Sequence, residues 1–348
     1  MHALVYHGPG RTAWEPVPDP GLARGTDAVV RIEATTVCGA DLHIRRGDVP
    51  DVAPGRVLGH EGVGTVVEVG DAVRTVRPGD RVLVPAVSAC GTCPSCREGR
   101  AGLCTGGGGW VLGRGIDGTQ AELVRVPFAD TSTYAAPEGM ADDELLMAAD
   151  LLPTGFEVGA HHAGVQPGDV VVVVGAGELG LSVVLAARLF SPAHVVVVDR
   201  AEARRKEAMG FGADVLVDDA EEDPVAALSS FTDGRGADVV VEAVGAPASF
   251  ELATRLVRPG GRIATVGVHG APALLHLEQL WDGELVITTG LADTSSVPSL
   301  LRLVSAGLVE ADRFVTHHLA LDAIAEAYDL MEHTEDTGAL KVVLTPRR

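Results

Sequence analysis

Four of the five cysteines fall between positions 90 and 104, as Cys90-Gly-Thr-Cys93-Pro-Ser-Cys96 followed by Cys104. Spaced this way, four thiolates can close a tetrahedral shell around one zinc ion and leave no open position, as structural sites do. An iron–sulfur centre competes with that reading, because such clusters are also held by four cysteines. Read as zinc, the ion rigidifies a lobe spanning about residues 88–108 and does no chemistry. The fifth cysteine, Cys38, lies in Val37-Cys38-Gly39-Ala40-Asp41-Leu42-His43. Alone, it also reads as a small buried hydrophobe. Gly59-His60-Glu61 is equally weak in isolation. A catalytic zinc site takes three protein ligands and a labile water, and spacing does not select a third ligand.

A second chemical motif lies in the middle of the chain. Gly175-Ala176-Gly177-Glu178-Leu179-Gly180 follows an apolar strand directly and opens a helix, the setting the dinucleotide fingerprint requires. Gly175 allows the tight turn, Gly177 lets backbone N–H groups approach a pyrophosphate, and Gly180 permits close helix–strand packing. The helix N-terminus then faces the phosphate charge. Asp199 ends the next strand, where its carboxylate can accept hydrogen bonds from ribose hydroxyls. A 2′-phosphate there would meet like charge, which favours NAD(H) over NADP(H). Arg200 acts against that preference, since a guanidinium could pair with such a phosphate.

These motifs sit on two kinds of chain. The first third is rich in short strands and turns, with apolar segments at 28–34, 64–69 and 81–84 and another strand over 118–126. Near residue 153 the pattern changes to strands alternating with helices, as in a parallel sheet. Strands are expected at 170–174, 194–199, 213–217, 238–242, 262–266 and 285–289. Helices are expected at 178–190, 201–211 and 247–257, the last ended by Pro259-Gly260-Gly261. The Val-rich strands suit a sheet covered on both faces. The last fifty residues return to helices, at 297–306 and 322–331, and then a strand at 339–344.

Composition excludes several classes. With 348 residues, 46% of them hydrophobic, the chain is long enough for two domains with their own cores. Its net charge of −21 argues against nucleic acid or an anionic membrane as partner. No basic segment followed by an apolar run opens the chain, and no apolar run is long enough to span a bilayer. A cytoplasmic location is expected, where clustered cysteines point to metal rather than disulfides.

Taken together, Cys38-Gly-Ala-Asp41-Leu-His43, Gly59-His60-Glu61-Gly62, the four-cysteine lobe and the glycine loop resemble the zinc-dependent medium-chain alcohol dehydrogenases. The likeness covers the whole chain. It is closest to the bacterial branch with an aspartate zinc ligand, through Ala149-Asp150-Leu-Leu-Pro-Thr154-Gly155-Phe156. It implies an α/β plus β fold: a GroES-like β-rich catalytic domain over residues 1–153 and 296–348, with a Rossmann doubly wound sheet of six strands inserted over 154–295. It also implies an active site in the cleft between the two.

The resemblance further implies roles. Cys38, His60 and Asp150 become catalytic zinc ligands, Glu61 binds the metal transiently, and Asp41 orients His60. Glu178, Leu179, Asp199, Arg200, Thr154, Val244, Gly267 and Val268 join the three loop glycines as cofactor contacts. Trp110, Leu291 and Ala40 line the substrate pocket. The expected activity is hydride transfer between NAD(H) and a small alcohol or carbonyl compound, with two zinc ions per chain and a homodimer or homotetramer as the assembly. Ala40 departs from the family, which carries Ser or Thr there to relay the alcohol proton toward His43. That loss keeps two other readings open, an aldehyde-handling dismutase and a non-catalytic nucleotide-binding protein.

Overall fold

The computed structural model describes residues 1–347, divided into one unit of residues 1–153 with 292 onward and a second of Thr154–Leu291. In the first unit, the nine-residue strand Ala28–Thr36 is buried along nearly all its length, because partners lie on both sides of it. Gly62–Val69 and Leu123–Val126 pair with it antiparallel, and Lys341–Thr345 pairs with its end. Arg81–Val84, Tyr134–Ala135 and Val315–Ala320 complete a seven-stranded sheet. A separate three-stranded sheet joins Thr12–Pro16, His2–Tyr6 and Arg56–Val57.

Among the apolar clusters that hold this unit, two are large. Val30, Ile32, Val66, Val82 and Val124 fill one; Leu4, Val37, Ile44, Leu58, Tyr328 and Val342 fill the other. Each fully buried Val or Leu contributes roughly 1.5–3 kcal/mol by leaving water. The second cluster matters for chemistry, since it clamps the helix Gly39–Arg46 that begins beside Cys38.

The second unit is a six-stranded parallel sheet. Its spatial order is Val215–Val217, His194–Val198, Val170–Val174, Ala237–Glu242, Val257–Thr265 and Val286–Thr289. All five valines of Val170–Val174 are buried, as expected of a strand covered on both faces. Strand order reverses beside this strand, and ligands of such sheets bind outside the carboxyl ends at that reversal. The glycine loop follows it directly.

Some expected elements change. The proposed strand over 118–126 is cut to Leu123–Val126. Residues 118–120 instead bond to the 57–59 segment, with Gly118 and Gln120 donating to the Val57 and Leu58 carbonyls. The Pro259-Gly260-Gly261 triplet was expected to end a helix. It lies inside the strand Val257–Thr265, where a register shift between Ala237 and Val239 absorbs the extra residues. The helix Pro224–Thr232 was not anticipated, although Asp223 as cap and Pro at its first turn were readable signals. Among the described residues, no helix is long and apolar enough to cross a membrane.

Asp238 ties two strands of the second unit together. Its carboxylate accepts the Val170 N–H at 2.7 Å and the Arg258 guanidinium at 2.6 Å. Burial opposes its charge, but these donors prevail and hold its pKa below the usual carboxylate range. A depressed folded pKa gives stability that is complete at neutral pH and fades as pH falls through that value. Asp238→Asn should cost about 1 kcal/mol in urea unfolding at pH 7, with the gap from the native chain closing below about pH 4. A gap that stays constant or widens in acid would contradict this account.

Candidate active site and metal centres

Cys38 leaves the strand Ala28–Thr36 in extended conformation and caps the helix Gly39–Arg46. The Asp41 carboxylate, one turn in, accepts the Cys38 backbone N–H at 3.0 Å, fixing the start of the helix. His60 and Glu61 follow Gly59, whose φ of 91° lies in the left-handed region. A Cβ at Gly59 would sit 2.5 Å from the Gln120 Cγ and 2.8 Å from the Thr119 hydroxyl, so only glycine fits. Asp150 arrives on the turn before the short helix Leu151–Pro153.

These four residues converge. One donor atom from each of Cys38, His60, Glu61 and Asp150 lies within 4.8 Å of the others. Asp150 Oδ2 is 3.6 Å from Cys38 Sγ and 3.6 Å from His60 Nε2. A tetrahedron of zinc–ligand bonds of about 2.0–2.3 Å has edges of about 3.3–3.8 Å. The spacing therefore fits one zinc ion.

Charge makes the same point. Burial pushes the Cys38 thiol up to about 12, against the pull of Lys341 and His60. Burial also raises Glu61, partly offset by Lys341, whose ammonium lies 2.7 Å from Glu61 Oε1. Burial lowers the basicity of His60, but Asp41 and Asp150 overcome it and raise its pKa well above the usual value. A divalent cation would stabilise every anionic donor here. Glu61 Oε2 is buried without a hydrogen-bond partner and belongs to a residue already in the donor cluster.

Around the cluster, Trp110 sets its ring edge-on to His60 at 5.6 Å and receives Arg114 at 5.2 Å. Ala40 and His43 lie three apart on one helix, hence on one face. His43 Nδ1 pairs with Asp48 at 2.8 Å. Lys341, Gln120 and Tyr328 were missed from sequence, since each reaches the site from an element far along the chain.

The other four cysteines form their own centre. Cys90 and Cys96 sulfurs are 3.9 Å apart, as are those of Cys93 and Cys104, close to the edge of a zinc–thiolate tetrahedron. Backbone N–H groups aim at the sulfurs, from Cys93 to Cys90 and from Cys96 to Cys93. Such donors bring Cys90 down to about 7 and Cys93 to about 5, whereas burial and neighbouring thiols push Cys96 up to about 12. The glycine run after Cys104 is also explained. A Cβ at Gly106 would overlap the Cys90 sulfur, and one at Gly108 would overlap the Ser88 carbonyl.

In the second unit the glycines of the loop differ in what they accommodate. Gly175 has φ 97°, and a Cβ there would lie 2.6 Å from Val244. A Cβ at Gly180 would overlap the Gly175 carbonyl. Gly177 has nothing within 4 Å, so its missing side chain leaves open space at the N-terminus of the helix Glu178–Arg188, which Glu178, Leu179 and Gly180 begin. That space suits a pyrophosphate. Asp199 accepts the Ala176 N–H and the Ala201 N–H, both at 2.8 Å. Its carboxylate thereby ties the loop to the next strand and keeps lone pairs for a ribose. Arg200 is 75% exposed and 3.4 Å from Asp219. Val244, Val268 and Leu291 are exposed apolar residues, Gly267 packs against Gly245, and Thr154 opens a π-helical turn.

Comparison with known proteins accords with this geometry. Residues 24–138 match the alcohol dehydrogenase GroES-like domain, and residues 179–306 the zinc-binding dehydrogenase family. An alcohol dehydrogenase of Cupriavidus necator is 36% identical over 99% of both chains. The apo form of zinc dependent alcohol dehydrogenase 2 from Streptococcus pneumonia superposes with a TM-score of 0.96 at 40% identity, over 100% of this chain and 99% of that one. An alcohol dehydrogenase of Escherichia coli CFT073 complexed with NADH superposes at 0.88 and 28% identity, over 99% of each.

Proposed function

This chain belongs to the zinc-dependent medium-chain alcohol dehydrogenases, and from that premise we propose which of its residues carry the reaction. It is an oxidoreductase that moves a hydride between NAD(H) and an alcohol or carbonyl carbon. In our reading Cys38, His60 and Asp150 hold the catalytic zinc, and Glu61 approaches it transiently. Cys90, Cys93, Cys96 and Cys104 hold the structural one. One observation carries this reading: a sulfur, an imidazole nitrogen and carboxylate oxygens meet at zinc-ligand spacing in a buried spot.

When bound, zinc supplies Lewis acidity that makes an alcohol proton easier to lose, and the nicotinamide supplies the hydride exchange. The chain's residues do the rest. Asp41 would keep His60 turned toward the metal. Lys341 restrains one oxygen of Glu61 and leaves the other to approach. Trp110 closes one side of His60 and would help exclude water. Gly175, Gly177 and Gly180 would seat the pyrophosphate, and Asp199 the ribose hydroxyls. Arg200 turns toward Asp219, which supports NAD over NADP.

Ala40 carries no hydroxyl where the family has Ser or Thr, so in this reading water or another oxygen of the substrate would pass the alcohol proton toward His43. Neither a dismutase nor a non-catalytic role gains support from the relatives. We also propose self-association along the edge strand Val286–Thr289, preceded in the sequence by exposed Leu277 and Trp281. Light scattering should report a dimer or larger, and a monomer would refute this.

Initial rates on a panel of primary, secondary and polyol substrates test the assignment. We expect turnover with NAD, much weaker turnover with NADP, and loss of activity with a zinc chelator. Ala40→Thr should raise kcat for simple alcohols by about tenfold or more, given that acid–base assistance contributes ~10²–10⁴-fold. An unchanged or lower rate in a folded, zinc-loaded variant would refute the relay argument.

A further inference from the structure

Behind His60 and Cys38 runs a buried polar chain assembled from four separate parts of the sequence. The Tyr328 hydroxyl lies 2.9 Å from Gln120 Oε1. Gln120 Nε2 lies 3.1 Å from the Thr36 carbonyl and 3.1 Å from Asp41 Oδ2. Asp41 Oδ2 also accepts the Cys38 N–H, while Oδ1 faces His60 Nδ1 at 3.4 Å. Neither of those last two atoms has another hydrogen-bond partner. Tyr328, Gln120, Asp41 and His60 are at most 3% exposed, so water does not decide their orientation.

The direction of every hydrogen bond in this chain is forced. A carbonyl and an ionised carboxylate only accept, so the Gln120 amide must turn its NH2 to Thr36 and Asp41. Its carbonyl oxygen then faces Tyr328, which is left to donate. Burial, with the Asp41 charge nearby, keeps the Tyr328 phenol protonated far above its usual range, so the donor persists. With two donors on Oδ2, Asp41 has Oδ1 left for the Nδ1–H of His60. That leaves His60 Nε2, 3.6 Å from Asp150, as the nitrogen that would ligate a metal. Gln120 is itself immobilised, because its stem fills the space a side chain at Gly59 would need.

We propose that Gln120 and Tyr328 are positioning residues that fix, through Asp41, the tautomer and ring orientation of His60 as a metal ligand. The proposal rests on the zinc reading given above. It gives the Tyr328 hydroxyl a task within a largely apolar cluster: the hydroxyl anchors the amide, the amide anchors the carboxylate, and the carboxylate anchors the ring. Neither residue touches substrate or cofactor in this role.

The test uses the full, zinc-loaded protein and follows zinc release to a chelator. The four-cysteine centre acts as an internal reference, because it shares none of these residues. For Gln120→Met, one of the two ions should leave about 10–100-fold faster, the usual cost of losing an outer partner of a ligating histidine. Gln120→Glu keeps the shape but cannot donate to both acceptors, and should behave alike. Tyr328→Phe is the mild variant and should accelerate the same ion by a smaller factor. The other ion should leave at the native rate throughout. Variants that lose thermal stability yet release both ions at native rates would overturn the proposal in favour of a purely structural role. Equal acceleration of both ions would overturn it too, as general loosening. A native protein that retains only one zinc would instead overturn the catalytic-site reading beneath it.

Discussion

The first unit is organised around a group of anionic donors that burial alone would forbid. Cys38, Glu61 and Asp150 bring their donor atoms, with that of His60, within 4.8 Å of one another, and His60 and Glu61 are almost wholly buried. Taking charge out of water is costly unless it is met by opposite charge in good geometry. One cation is built in: Lys341, 1% exposed, on the strand Lys341–Thr345 that also pairs with Ala28–Thr36. Lys341 alone would not balance all three donors in their ionised forms, and a divalent ion would. Much of the unit can be read as scaffolding for this one requirement, from the capped turn at Cys38 to the left-handed glycine before His60.

The second unit meets the opposite electrostatic demand. To hold a pyrophosphate at the glycine loop, as proposed above, it would use backbone dipoles at a helix N-terminus. The reversal of strand order beside Val170–Val174 opens a crevice there. Gly177 leaves that opening unfilled, while Asp199 braces the loop through the Ala176 N–H. A carboxylate so placed would serve two purposes, since bracing the loop does not exhaust its lone pairs.

What could be read from the sequence follows from how local each feature is. The four-cysteine lobe and the glycine loop each lie within a short segment, so the residues of that segment and its flanks raised the metal and dinucleotide readings. Runs such as Val170–Val174 were equally legible, because a strand buried on both faces must be apolar throughout. Asp150 was reached only through a family resemblance, being 112 positions from Cys38. Lys341 and Tyr328 were not reached at all. Lys341 meets Glu61 across 280 positions and Tyr328 meets Gln120 across 208, and no local pattern records such pairings. The bulged strand Val257–Thr265 was legible only from residue 262 on, because Pro-Gly-Gly reads as a break, whereas a parallel ladder can loop it out.

X-ray absorption at the zinc edge of the purified protein tests the central claim most directly, since it reads both the number and the type of ligand atoms. The account predicts two ions per chain, with a sulfur-rich mean shell: four sulfurs around one ion, and around the other one sulfur with nitrogen and oxygen at about 2.0–2.2 Å. A single zinc bound only to sulfur, with no nitrogen or oxygen neighbours, would contradict it.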